Sequence, residues 1–177
     1  MAEKNFVPVK DRVAPVATGN GSGRQVQTKK GLSLKRFFTT PGVHPFDEVE
    51  WVLRTASIQN EKGKSLFEQT GVEVPQDWSQ TATNIVASKY FHGKLGTPER
   101  ETSLKQLISR VADTIADWGS HGGYFKTEAD GEAFRAELTH LLVRQKAAFN
   151  SPVWFNCGLW QKYNRSLKGS GWYWDSF

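Results

Sequence analysis

Apolar residues return at three- and four-residue spacing along two long stretches: Leu104, Leu107, Ile108, Val111, Ile115 and Trp118, then Phe134, Leu138, Leu141, Leu142 and Phe149. Each set marks one face of a helix, with polar residues such as Arg135, Glu137, Arg144 and Lys146 opposite, so two amphipathic helices are predicted, their stripes forming core. Thr97-Pro98-Glu99 reads as the start of the first helix: a hydroxyl cap, proline at the first helical position, then carboxylates at the positive end of the dipole. Gly119, Gly122 and Gly123 end it, and Thr127 to Asp130 opens the second. A shorter helix precedes both, with Trp78, Ala82, Ile85, Val86 and Tyr90 inward, Asp77 or Ser79 as cap and Gly93 as stop.

Before Pro75 the period changes. Residues 48–58 partly alternate apolar and polar, Asn60-Glu61-Lys62-Gly63 supplies a tight turn, and Ser65 to Gln69 with Val72 to Val74 forms a return strand interrupted at Gly71. This predicts a hairpin near 51–74. At the other end, Gln145 to Gly158 shows a helical pattern giving way to an apolar, strand-like run through Val153, Trp154 and Phe155. The fold class expected is mainly α with a small β-hairpin.

Charge alters the picture in one respect. The net charge of +5 invites a nucleic-acid reading, yet residues 1–36 hold eight Lys or Arg against two acidic groups, leaving the remainder at −1. A body near neutrality lacks the basic face that releases counterions from a phosphate backbone. Residues 1–30 mix Pro, Gly and basic residues with few large apolar ones, so they read as a flexible basic arm that cannot offset its ordering entropy. The end of the chain, from Trp160 through Trp172, Tyr173 and Trp174, is aromatic and glycine-rich without a period. It reads either as a base-stacking platform or as a segment whose packing partner lies elsewhere in a longer chain.

Candidate chemistry is sparse. A single cysteine, Cys157, excludes an internal disulfide framework and a Cys-rich metal site, and is read as a small buried side chain. His44, between Pro41 and Pro45, has no Cys, His or carboxylate at ligand spacing and is read as a solvated loop histidine; no metal is expected. No apolar run approaches a membrane helix and the N-terminus has no signal-peptide core, which points to the cytoplasm. Ser151, in the Asn150-Ser151-Pro152 corner, is the one side chain placed to meet a ligand, a phosphate or ribose hydroxyl; the alternative is that it caps a turn.

Four ordered blocks carry a family resemblance: Phe37-Phe38-Thr39 with Pro41-Gly42-Val43-His44-Pro45-Phe46-Asp47; Trp78 through Phe91; Gly96-Thr97-Pro98-Glu99-Arg100-Glu101; and Asn150-Ser151-Pro152-Val153-Trp154-Phe155-Asn156. In this order, from about Gly31 to Asp175, the chain resembles the N-terminal region of the vitamin B12-dependent (class II) ribonucleotide reductases. The resemblance implies an N-terminal helical region, residues 31–150, leading into the first strand of a ten-stranded α/β barrel that is absent from this chain, with 151–177 as its truncated start. It implies conversion of ribonucleotides to deoxyribonucleotides for DNA synthesis and repair, with adenosylcobalamin generating a cysteine thiyl radical and a cysteine pair reducing the substrate. One thiol cannot fill those roles, so no catalytic or cofactor-binding residue is expected here and the chain alone should be inactive. Ser151 alone carries over, as a substrate-binding position. The implied partners are a ribonucleotide substrate, a nucleotide effector and an external dithiol reductant, and a homodimer is left open. The rival from another class is a free-standing nucleotide or nucleic-acid binding module using the basic arm and the Trp-rich end.

Overall fold

The computed structural model describes residues 30–165. The predicted arm, apart from Lys30, and the aromatic run beyond Arg165 lie outside the described residues.

The hairpin forms from β1 (Trp51–Gln59) and β2 (Ser65–Pro75), antiparallel, with Trp51 opposite Pro75, Arg54 opposite Val72 and Ala56 opposite Gln69. Asn60 closes the turn: its side-chain oxygen accepts from the amides of Lys62 and Lys64, and Gly63 takes φ +74°. β2 is not interrupted at Gly71, as the sequence suggested. It runs through that residue at φ +67°, where the register shifts between Arg54 and Ala56, so Gly71 allows a bulge and the strand continues. One face of the hairpin (Ala56, Val72, Val74) is fully buried while Leu53 and Leu66 face outward.

Ser79, not Asp77, caps α1 (Gln80–Ile85), its hydroxyl accepting from the Ala82 amide at 3.1 Å. The helix then widens into a π-helical turn, Val86–Tyr90, closed by the Phe91 amide on the Val86 carbonyl at 3.2 Å. α2 spans Leu104–His121 and α3 spans Glu128–Val143, packed against each other. Leu104, Leu107 and Ile108 are each 1% exposed, worth about 1.5 to 3 kcal/mol apiece at full burial. Together with Val72, Val74, Ala87 and Val143 they form the centre of the core.

Three helix expectations need correction. α2 starts at Leu104, not near Pro98, because Ser103 and Gln106 form a reciprocal capping box, whereas Arg100 and Glu101 are drawn into tertiary bonds that keep 97–102 irregular. Trp118 is 54% exposed, since the stripe drifts round the helix and the far end of α2 buries Thr114 and Ala116 instead. Lastly, Ser151 to Asn156 is helical, not a strand, and Leu159–Tyr163 is helical again; these are α4 and α5. Pro152 lies in the first turn of α4, where its missing N–H is no loss, so the proline that seemed to favour an extended chain starts a helix.

Residues 30–49 form no helix and no strand but are strapped along α3. Leu32 makes a parallel bridge to Phe125, with its amide on the Tyr124 carbonyl at 2.7 Å. Asp130 accepts from the Leu34 amide at 2.8 Å and the Ser33 hydroxyl at 3.2 Å. Seven residues along, Glu137 accepts from the amides of Phe37 (3.0 Å), Phe38 (3.0 Å) and Thr39 (2.9 Å) and from the Thr39 hydroxyl (2.6 Å). Two turns of helix, roughly 10 Å, thus carry two carboxylates on one face that satisfy backbone donors which form no ladder of their own. His44 is exposed in this strap, its Nδ1 accepting from the Phe46 amide at 3.2 Å.

Candidate functional site

The corner that holds Ser151 is made by a helix end, a short irregular link and two short helices. α3 stops at Val143, and Gln145 takes φ +52°, turning the chain back so that the amides of Lys146 and Ala147 both reach the Leu141 carbonyl. Asn150 is the residue preceding α4, with no side-chain cap bond, and Ser151 is the first helical residue. The Ser151 hydroxyl does not cap the helix. Its hydrogen bond among the described residues is to the Tyr90 hydroxyl, 3.1 Å away.

Tyr90 comes from the end of the π-helical turn, and its ring packs against both aromatic residues of α4, with centroids 6.4 Å from Trp154 and 5.4 Å from Phe155. Trp154 is held in turn by its indole N–H on the Phe149 carbonyl at 2.9 Å. Beneath lies an apolar cleft of about 310 Å³, lined by the whole predicted inner face of α1 and its π turn (Trp78, Ala82, Ile85, Val86 and Tyr90) together with residues of α2, the end of α3 and Trp154. Ile85 was expected in the core and is 46% exposed, because this cleft is open.

The far end of the corner is fastened from below by Arg110 of α2. Its guanidinium donates to the carbonyls of Cys157 (2.6 Å) and Trp154 (3.2 Å), which the short α4 leaves without helical partners, and through Nε to Glu101 at 2.9 Å. Neither Arg110 nor Glu101 has exposed side-chain surface. Glu101 also accepts from the Tyr163 hydroxyl of α5 at 2.8 Å and the His92 amide at 2.7 Å, and the His92 and Tyr163 rings stack at 4.8 Å. Gly158 joins α4 to α5 at φ +78°, so close to α2 that a Cβ there would lie 2.2 Å from the Arg110 carbonyl.

Electrostatics make this region a holder, not a source of acid–base chemistry. Burial pushes the Cys157 thiol up, and the nearby Arg110 only partly opposes that, so Cys157 is half-buried and protonated at neutral pH. Burial first, then the neighbouring Glu101 charge, push the Tyr163 phenol far above its ordinary range. Burial also pushes His92 down against the opposing pull of Glu101, keeping it neutral. Among the described residues, Ser151 meets no His or carboxylate that would activate it as a nucleophile. What it offers is an ordered hydroxyl beside an apolar cleft, a hydrogen-bonding group. Among the described residues no cluster of three or more His, Cys, Asp or Glu is gathered as for a metal ion, and no helix is long and apolar enough to cross a membrane.

Of the residues that build this corner, sequence reasoning singled out Ser151 and placed Tyr90 only as core. Arg110 and Glu101 were missed as partners. The available signal was Arg110 itself, a charged residue three positions after Leu107 and four before Thr114, on the edge of the apolar stripe.

Similarity to known proteins gives the class. The profile for class II vitamin B12-dependent ribonucleotide reductases matches residues 52–145, more than half of the chain, and the chain belongs to that family. The vitamin B12-dependent ribonucleotide reductase of Rhodopirellula baltica is 50% identical over 149 residues, which cover 83% of this chain and 14% of that protein. The enzyme of the same name from Streptomyces avermitilis is 50% identical over 146 residues, 80% of this chain and 15% of that protein, and that of Agrobacterium fabrum is 33% identical over 79% of this chain. The chain thus spans about one-seventh of the length of the curated relatives it matches.

Proposed function

We propose that this chain is the N-terminal part of an enzyme that reduces ribonucleotides to deoxyribonucleotides by adenosylcobalamin-initiated thiyl radical chemistry, and that its contribution is to present Ser151 to the substrate. The observation that carries this reading is the placement of the Ser151 hydroxyl. It is free of capping duty, is held by a side chain from another element, and stands at a corner whose backbone is locked by a buried Arg–Glu pair. The name of the family and of the relatives supports a cobalamin cofactor for the complete enzyme.

The described residues do not fit the cofactor itself. The cleft of about 310 Å³ is at the lower end of the range for small-molecule sites, a corrin macrocycle is a large ligand, and the cleft lining has neither histidine nor charge. Cobalamin binding, the radical thiol, the redox pair, the nucleotide effector and the external dithiol reductant belong to the remainder of the enzyme. The rival module rests on the basic arm and on a Trp-rich end that, apart from Trp160 and Tyr163 of α5, lies outside the described residues, whereas the family match covers residues 52–145 of the body between them.

The test is Ser151→Ala in the full-length enzyme, read by kcat/KM and by thermal stability. A neutral hydrogen bond contributes about 0.5 to 1.5 kcal/mol and one to a charged phosphate about 1.5 to 3, so the expected loss in kcat/KM is roughly tenfold, with the melting temperature unchanged. A variant that melts early yet turns over normally would make Ser151 scaffold.

A further inference from the structure

We infer that Tyr90 is a positioning residue for substrate: its phenol donates to the Ser151 oxygen and thereby leaves the Ser151 proton to point outward, toward an acceptor oxygen of the nucleotide. This rests on the reading of Ser151 as a substrate group and adds to it a second residue and a polarity.

A serine hydroxyl is a rotor with one proton and two lone pairs, and left alone it turns to suit any neighbour. The phenol of tyrosine is far more acidic than an alcohol, so in a Tyr–Ser pair at 3.1 Å the phenol is the better donor. Once Ser151 accepts from Tyr90, its own proton is the part that remains to be placed. The Tyr90 ring is held in place by its packing against Trp154 and Phe155. Preorganising one hydroxyl in this way lowers the ordering cost of binding.

The backbone is built for the same end. The π-helical turn Val86–Tyr90 carries one residue more than an α-turn, which rotates everything after it by roughly 100°, the angle of one residue. Tyr90 is the last residue of this turn, and its ring packs on α4. The turn is held at its end by Arg100, whose guanidinium donates to the carbonyls of Ala87, Phe91 (2.7 Å) and Gly93 (2.9 Å). π turns are frequent at functional sites, and this one delivers a hydroxyl to the only residue of the chain proposed to touch substrate.

The experiment is a double-mutant cycle in the full-length enzyme with Tyr90→Phe and Ser151→Ala, measuring KM, kcat and thermal stability. Tyr90→Phe keeps the ring and is expected to raise KM roughly three- to tenfold with kcat and melting temperature close to the parent's. In the Ser151→Ala background it is expected to do nothing further. Parental kinetics for Tyr90→Phe beside an impaired Ser151→Ala would overturn the inference alone, and so would additive losses. Parental kinetics for Ser151→Ala would overturn the substrate reading, and the inference with it. Should Tyr90→Phe fail to fold, 4-fluorophenylalanine at position 90 decides: it fills the space of the phenol but cannot donate, so KM is expected to rise roughly three- to tenfold, and a parental KM overturns the inference.

Discussion

Removing the Arg110 guanidinium as Arg110→Met leaves a side chain of similar length and apolar character in a site with no solvent. Two penalties follow. Glu101 keeps only the Tyr163 hydroxyl and the His92 amide as partners for a buried charge, and the carbonyls of Trp154 and Cys157 lose their donor. Breaking one partner of a buried pair costs about 3 to 5 kcal/mol, mostly because the other charge is stranded. At about 2 to 4 °C per kcal/mol for a chain of this size, the melting temperature should fall by about 6 to 20 °C, measured by far-UV circular dichroism and by urea titration. The double variant Arg110→Met with Glu101→Leu removes the stranded charge but still leaves the two carbonyls, the Tyr163 hydroxyl and the His92 amide unpaired, at about 1 to 3 kcal/mol each if they stay buried. It should therefore recover part of the loss and not all of it. A single variant that loses less than about 1 kcal/mol would refute the reasoning, since it would mean that the Glu101 charge is not confined and that the α4–α5 corner does not depend on Arg110.

Two further outcomes are expected. Burial tends to raise the Glu137 carboxyl, but bonds from Thr39, Phe38 and Phe37 outweigh it and hold the pKa below the ordinary value, while the Thr127 hydroxyl and then the Leu34 amide lower that of Asp130. Depressed folded-state values mean that the strap contributes stability above the unfolded carboxyl pKa, near 4, and loses it progressively as the pH falls through the folded values, so Glu137→Gln should lower the urea midpoint by more at pH 7 than at pH 3. A deficit that persists undiminished at pH 3 would contradict this. The 177-residue chain, incubated with adenosylcobalamin, dithiol and each ribonucleotide, should yield no deoxyribonucleotide, having one cysteine where the proposed chemistry needs three; turnover that survives repurification would contradict that.

The hairpin and the two long helices were legible because their signals are local. Alternation bounded by Asn60 and Gly63, and stripes beginning at Leu104 and Phe134, each lie within one element. What misled were residues whose local preference was overruled by a distant partner. Pro98 satisfied the rule for a helix start, yet the helix waits for Ser103 because Arg100 and Glu101 are occupied elsewhere. Val153, Trp154 and Phe155 looked like a strand, since three apolar residues in a row do not separate a strand from a short helix, and the Arg110 contacts that hold α4 come from 44 and 47 residues away. The strap was invisible as structure because side-chain carboxylates 96 to 100 residues distant satisfy it, without any repeating pattern. For the site, the Ser151 corner could be found from the sequence, but its tie to Tyr90 could not, since it depends on a π turn that no periodicity announces.

The most direct measurement of the central claim is the structure of the full-length enzyme with a bound ribonucleotide. The expected result places the Ser151 Oγ within hydrogen-bond reach of a nucleotide oxygen, about 2.5 to 3.0 Å, with the Tyr90 hydroxyl still bonded behind it. A nucleotide bound elsewhere, with Ser151 meeting only Tyr90, would contradict the assignment.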